Sequence, residues 1–294
     1  MANLKAIRRR IKSVQSTQKI TRAMRMVAAA KVRRAQARTL AARPFTQKVI
    51  KLIREIVREV ADIDLHEIPI LRRRKVKSVA LIVVTSDRGL CGSYNSSVLR
   101  NSLERIRKLE AEGKTVKVIR VGLKAAMFFR SLKVEKLGDP YTLLPAIPTV
   151  QEAKMIADRA AEYYLDGTVD AVEIISTHFI NMLRSEVHNT KFLPVELPEA
   201  SEVTELAPQT LFEPSITQVL ELELIPKYLE NVVFQALLDA SASELAARMN
   251  AMSNASTNAQ ELIGSLTLIY NRARQASITQ ELLEVVAGAE ALKG

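Results

Sequence analysis

The stretch ITRAMRMVAAAKVRRAQARTLAARPF, residues 20–45, contains no acidic side chain. From Met1 to Arg54 the chain carries 16 Lys or Arg and no Asp or Glu. The 43 basic residues include those 16, so the rest of the chain sets 27 against all 32 acidic ones. The net charge of +11 therefore resides in the N-terminal segment alone. A one-signed block of this kind seeks an acidic partner, whether phosphate, anionic lipid or an acidic protein surface.

The same segment has the pattern of a single long helix. The first glycine is Gly89, and Pro44 is the one helix breaker between residue 4 and about 61. Apolar or small residues recur at Leu4, Ile7, Ile11 and Val14, then at Ala28, Val32 and Ala35, and later at Val49, Ile53, Ile56 and Val60. This 3–4 spacing predicts a helical seam, with Gln18, Thr21 and Arg25 standing at seam positions where it is interrupted. At about 1.5 Å per residue the helix would be roughly 85 Å long. The other end of the chain is similar: residues 227 to about 287 lack proline and hold Gly264 as their interior glycine. There Leu262, Leu266, Ile269, Ala273, Ala276, Gln280, Leu283 and Ala287 keep a 4–3 alternation. Two apolar stripes exposed separately in water are unfavourable, so the helices are expected to pair, and a domain lying between them makes the pairing antiparallel.

The middle follows a different period. KSVALIVVTS (77–86) reads as a buried parallel strand, residues from about 96 to 111 as helix and TVKVIRV (115–121) as a second strand. Residues 151–165 read as helix and VDAVEIISTHF (169–179) as strand. This alternation predicts an open, largely parallel, Rossmann-like α/β sheet with right-handed crossovers. Residues 191–215, with four prolines, read as a linker. The expected fold class is α/β plus coiled coil: a shaft helix at 1–62, an α/β foot domain with linker at 63–215 and a second shaft helix at 216–294.

Few motifs suggest chemistry. TSDRGLCGSYN (85–95) sits after the first strand, where nucleotide loops lie, but its glycines fit neither G-x-G-x-x-G nor the eight-residue phosphate loop. The GKT at 113–115 lacks the glycine five residues before Gly113, where Lys108 stands. Cys91 has no histidine near it in sequence, and His66, His178 and His188 are scattered without a carboxylate or thiolate set to complete a metal site. No catalytic residue, cofactor or metal is expected. A single cysteine also rules out a disulfide within the chain.

The basic helix admits several partners. Sixteen cations could neutralise phosphates, making a basic coiled-coil nucleic-acid-binding protein the alternative reading. Aromatic residues, however, make up 4% of the chain and Trp is absent, so stacking on bases is poorly supplied. A membrane-surface role needs larger apolar anchors than MVAAAKVRRAQA provides. MNAMSNASTNAQ (249–260) is small and neutral, which suits close helix packing and a smooth exterior inside a surrounding sleeve.

Three stretches carry a family resemblance. IRRRIKSVQSTQKITRAMRMVAAAKVRRAQ (7–36), TSDRGLCGSYN (85–95) and YNRARQASITQELLEVVAGAEA (270–291) closely resemble the gamma subunit of F-type ATP synthases. The likeness is weakest from about 130 to 225. It implies a central rotor stalk, one copy inside a hexamer of three alpha and three beta subunits, whose α/β foot docks with epsilon on the c-subunit ring. Proton-driven rotation would then drive the beta subunits through ATP synthesis, while this chain catalyses nothing and needs no cofactor. The implied location is peripheral, on the cytoplasmic face of a bacterial plasma or thylakoid membrane. Acidic beta-subunit segments would face the acid-free helix at every angle, each exposed pair contributing about 0–1 kcal/mol. The resemblance places beta-subunit contacts at Met24 and Arg25 and at Arg274, Gln275 and Thr279, with Lys19, Ile20 and Arg22 one turn away. ASELAARMNAMSNA and EVVAGAEAL resemble the photosynthetic branch, whose chloroplast members carry an inserted thiol switch that Cys91 alone cannot form.

Overall fold

Six consecutive apolar side chains, Val79 to Val84, can be buried together only if a strand is covered on both faces, and that strand lies at the centre of the sheet. The computed structural model describes residues 4–59, 68–72, 74–195 and 219–291. Its helices are α1 (Leu4–Glu59), α2 (Tyr94–Ala111), α3 (Leu123–Arg130), α4 (Val150–Leu165) and α5 (Ile225–Ala291). Its strands are β1 (Ser78–Val84), β2 (Thr115–Val121), β3 (Glu135–Lys136), β4 (Ala171–Phe179) and β5 (Ser185–Leu193). Residues Val219–Leu224 form a π-helical turn before α5. The chain divides into two units: residues 30–247, and residues 1–29 together with 248–294. The expected boundaries at 62/63 and 215/216 lie outside the described residues, as do His66 and residues 196–215 of the expected linker.

In the unit of residues 30–247 the strand order is β3-β2-β1-β4-β5. β1 runs parallel to β2 and β4, β2 runs parallel to β3, and β5 is antiparallel to β4. Alternate residues of β1 serve opposite faces, as the pleat requires. Val79, Leu81 and Val83 meet Val98, Ile106 and Leu109 of α2 and Phe129 of α3. Ala80, Ile82 and Val84 meet Ile156 and Ala160 of α4 and Leu229 and Val233 of α5. Arg105 of α2 reaches the mostly buried Glu173 of β4, with Nε 2.7 Å from Oε2. That charge-assisted bond, offset in part by burial, holds the guanidinium pKa above its ordinary value.

Three elements were not visible in the sequence: α3, β3 and β5 as a full strand. The linker expected from 191 begins later, because Lys191–Leu193 pair with β4 and Phe192, Leu193 and Val195 are buried. Pro194 follows the strand and does not exclude it. Pro226 falls at the junction of the π-helical turn and α5.

Both long helices meet the sheet in this unit. Val32 and Ala35 of α1 cluster with Ala242, Leu245 and Ala246 of α5 around Phe179 of β4. Further along α1, Arg43 pairs with Asp239 at 3.4 Å. Residue numbers fall along α5 as they rise along α1, so the helices are antiparallel. Arg43 Nη2 also donates to the Phe179 carbonyl at 2.8 Å, and His178 Nδ1 lies 2.8 Å from Asp239 Oδ2. Gln235 Nε2 donates to Asp239 Oδ1 at 3.3 Å. Of the three histidines, His178 and His188 thus come together, their rings stacked with centroids 5.3 Å apart.

Two changes test this architecture. Gly122 has φ +90, and a Cβ there would sit 2.3 Å from the Thr85 carbonyl oxygen. Gly122→Ala should therefore cost about 3 kcal/mol or more, read by thermal unfolding. Asp170 accepts hydrogen bonds from the Lys77 and Ser78 amides, each at 2.9 Å, and from the Ser78 hydroxyl. Partial burial pushes its pKa up, but these bonds and the nearby Arg74 outweigh that and hold it below the ordinary value. A depressed carboxylate stabilises fully above its unfolded pKa, and that contribution is lost as pH falls through the folded value. Asp170→Asn should lower stability at neutral pH and flatten the acid limb of the denaturation midpoint plotted against pH.

Candidate partner-binding surface

Among the described residues, the unit formed by 1–29 and 248–294 contains two helical segments and no sheet. Its buried positions on α1 are Thr21 and Ala28, and on α5 Met252, Ala259 and Leu266. Gln18 Nε2 donates to Gln260 Oε1 at 2.6 Å, fixing the level at which the helices face one another. Thr21 bonds back to the Gln18 carbonyl at 3.0 Å, so its hydroxyl is satisfied within its own helix. The small residues of 249–260 allow this close approach.

The seam differs from expectation at both ends. Arg25 is exposed, and the stripe passes instead through the half-buried Met24 between Thr21 and Ala28. On α5, Leu262, Ile269 and Leu283 were expected inward but are exposed. The inward stripe runs through Met252, Ala259, Ile263, Leu266, Tyr270 and Ala273. Alanine and leucine occupy several faces of this helix, so period alone cannot choose among them.

Lys19, Ile20, Arg22 and Arg25 are exposed on α1, whereas Met24 is turned partly inward. Arg274, Gln275 and Thr279 are exposed on α5. The structure does not bring the two groups together. Gln260, level with the α1 group, is about 14 residues or roughly 20 Å of helix from Arg274. Two separate patches result. The first mixes cations with exposed apolar side chains, Ile20, Met26 and Val27, each more than half exposed. The second, on the last turns of α5, exposes Leu268, Ile269, Ile278, Leu282, Val285 and Val286. Sequence reasoning missed Met26, Val27 and most of the second patch. The available signal was an excess of large apolar residues over what one inward stripe can hold.

Neither patch carries a reactive constellation. Among the described residues no group of three His, Cys, Asp or Glu could hold a metal ion. The 85–95 turn is internally tied: Ser86 N donates to Asn95 Oδ1 at 3.0 Å, and the Ser86 hydroxyl donates to the Arg88 carbonyl at 2.7 Å. Asn95 Nδ2 lies 3.1 Å from the buried Cys91 Sγ. Burial, with the Glu244 carboxylate and Cys91 nearby, pushes the Tyr94 phenol far above its usual range and keeps it protonated. Among the described residues no helix is long and apolar enough to cross a membrane.

A test of the seam follows from Ala28. Ala28→Leu should overpack the helix pair and cost about 1–3 kcal/mol by chemical denaturation. Ala30→Leu, at an exposed position, should stay within about 0.5 kcal/mol of the parent.

The family model described as ATP synthase matches residues 3–292. The ATP synthase gamma chain of Synechococcus elongatus is 46% identical over 320 aligned positions, covering all of both chains. That of Thermosynechococcus vestitus is also 46% identical with full coverage of both, and that of Nostoc punctiforme is 44% identical over 99% of this chain and all of its own. Among solved structures, a central stalk and c-ring structure of Tetrahymena thermophila mitochondrial ATP synthase aligns with TM-score 0.57 and 26% identity, over 81% of this chain and 99% of that one. A chain of Euglena gracilis mitochondrial ATP synthase shares the fold, with TM-score 0.61 at 19% identity over 98% and 94% of the two chains. With two long terminal helices, an intervening parallel-type sheet and full-length likeness to cyanobacterial relatives, the chain belongs to the ATP synthase gamma-chain family.

Proposed function

We propose that this chain is the central rotor-stalk subunit of a proton-transporting ATP synthase, coupling c-ring rotation to conformational cycling of the catalytic beta subunits. The observation that carries this reading is the exposed apolar end of α5, where Ile278, Leu282, Val285 and Val286 are covered by no helix among the described residues. Large apolar side chains left exposed in this way mark a surface meant for another protein. A sleeve of alpha and beta subunits, three of each around one copy of this chain, supplies such a cover. The subunit itself performs no chemistry.

The charge distribution supports the same reading. Residues 4–29 present Lys5, Arg8, Arg9, Arg10, Lys12, Lys19, Arg22 and Arg25 with no anion among them. Acidic segments on three beta subunits would be attracted at every rotational angle. Each solvent-accessible pair is worth only about 0–1 kcal/mol, so none arrests rotation. Lys19, Ile20, Arg22, Met24 and Arg25 form one beta-subunit contact, and Arg274, Gln275 and Thr279 a second. The sheet domain, with epsilon, rests on the c-subunit ring at the cytoplasmic face of a bacterial plasma or thylakoid membrane. Exposed Met26 and Val27 belong with the first contact and add apolar grip to it.

Native mass spectrometry of the chain mixed with its own alpha and beta subunits tests the reading. A complex of three alpha, three beta and one gamma is expected, whereas free hexamer and free chain would overturn it. In the assembled enzyme, Arg274→Ala with Gln275→Ala should slow coupled ATP synthesis while leaving that assembly intact. An unchanged rate would remove these residues from the contact.

A further inference from the structure

We infer that Asp239 is the positioning residue that keeps α1 from turning against α5 and the sheet, so that both long helices carry torque. The inference rests on the rotor reading above. A rotor transmits torque only if its helices cannot turn about their own axes against the domain that drives them. α5 is seated in the sheet core through Leu229, Val233 and Leu237 and so moves with the sheet, whereas α1 has a far smaller apolar seat. The cluster joining α1 and α5 to β4 gathers Val32, Ala35, Ala242, Leu245 and Ala246 around Phe179. Among the described residues it holds on the α1 side only Val32 and Ala35, a short apolar contact for so long a helix.

Directional contacts sit beside that cluster and converge on one carboxylate. Asp239 of α5 is 4% exposed. It takes Arg43 of α1 on Oδ1 at 3.4 Å and His178 of β4 on Oδ2 at 2.8 Å. Arg43 closes the triangle by donating to the Phe179 carbonyl of β4 at 2.8 Å. Each edge of the triangle joins a different pair among α1, α5 and β4, so rotating any one element breaks two edges. The two 2.8 Å edges have the length of strong, angle-dependent charge-assisted bonds, and the 3.4 Å Arg43–Asp239 edge is a longer ion pair. The position on β4 is braced in turn, since His178 stacks on His188 of β5. Gln235, one turn earlier on α5, donates to Asp239 and holds its carboxylate orientation.

The test uses the whole ATP synthase in sealed vesicles, comparing ATP-driven acidification with ATP hydrolysis. Asp239→Asn keeps the side-chain shape and removes the charge, and Arg43→Gln removes the α1 edge while leaving Asp239 its His178 and Gln235 partners. Both variants are expected to assemble and hydrolyse ATP but to lose acidification per ATP hydrolysed, with Asp239→Glu recovering much of that loss. A purely structural role would reduce assembly and leave the ratio in assembled complexes unchanged, and that result overturns the inference. Failure of both variants to assemble, scored by native mass spectrometry, also overturns it, because the contact would then serve folding alone. If the unsubstituted complex neither assembles around this chain nor pumps, the rotor reading itself falls, an outcome distinct from these.

Discussion

The enclosure of β1 is the constraint from which the sheet domain follows. With all but its first residue buried, β1 must be hydrogen-bonded along both edges and covered on both faces. The edges recruit β2 and β4 in parallel, which demands helical crossovers and so produces α2, α3 and α4. The face carrying Ala80, Ile82 and Val84 needs more cover than α4 supplies, and the first half of α5 provides it through Leu229 and Val233. A long terminal helix is thereby built into the domain core, not merely attached to it. Any movement of the sheet must involve that helix.

How far the sequence could be read depends on how local each signal is. β2 was expected at 115–121 and occupies those residues, and α4 begins one residue before its expected start, because apolar period and flanking glycine or proline specify them locally. α1 was legible from the absence of breakers. β3, with two residues, has no period to detect, and β5, with polar residues along most of its length, lacks an apolar face to announce it. The Arg43–Asp239–His178 triangle joins positions separated by 61 residues or more, and no spacing rule reaches that far. For the partner surface, charge was legible and geometry was not. Lys19, Arg22 and Arg25 are exposed as their charge suggests, yet the excess of apolar residues there does not say which of Met24, Met26 and Val27 turns inward.

The two patches combine different physics. Around residues 19–27 exposed cations surround a few apolar side chains, so attraction there is long-ranged and weakened by salt. At the end of α5 the exposed residues are mostly apolar, and attraction is short-ranged and little affected by salt. The same chain thus has one surface whose attraction acts at a distance and another whose attraction requires contact.

The pairing of α1 with α5 also sets an order of assembly during synthesis. α1 leaves the ribosome long before the residues that cover it, Ala242, Leu245 and Ala246, and the Gln260 that meets Gln18. For most of translation α1 is a basic amphipathic segment without its companion. An isolated helix in water gains little beyond marginal stability, so this segment cannot settle until α5 has been made. Contacts between residues so far apart in sequence also carry a large loop-closure cost and form late. The sheet strands are complete by residue 193 and can gather earlier, leaving α5 to close onto an α1 that has waited for it.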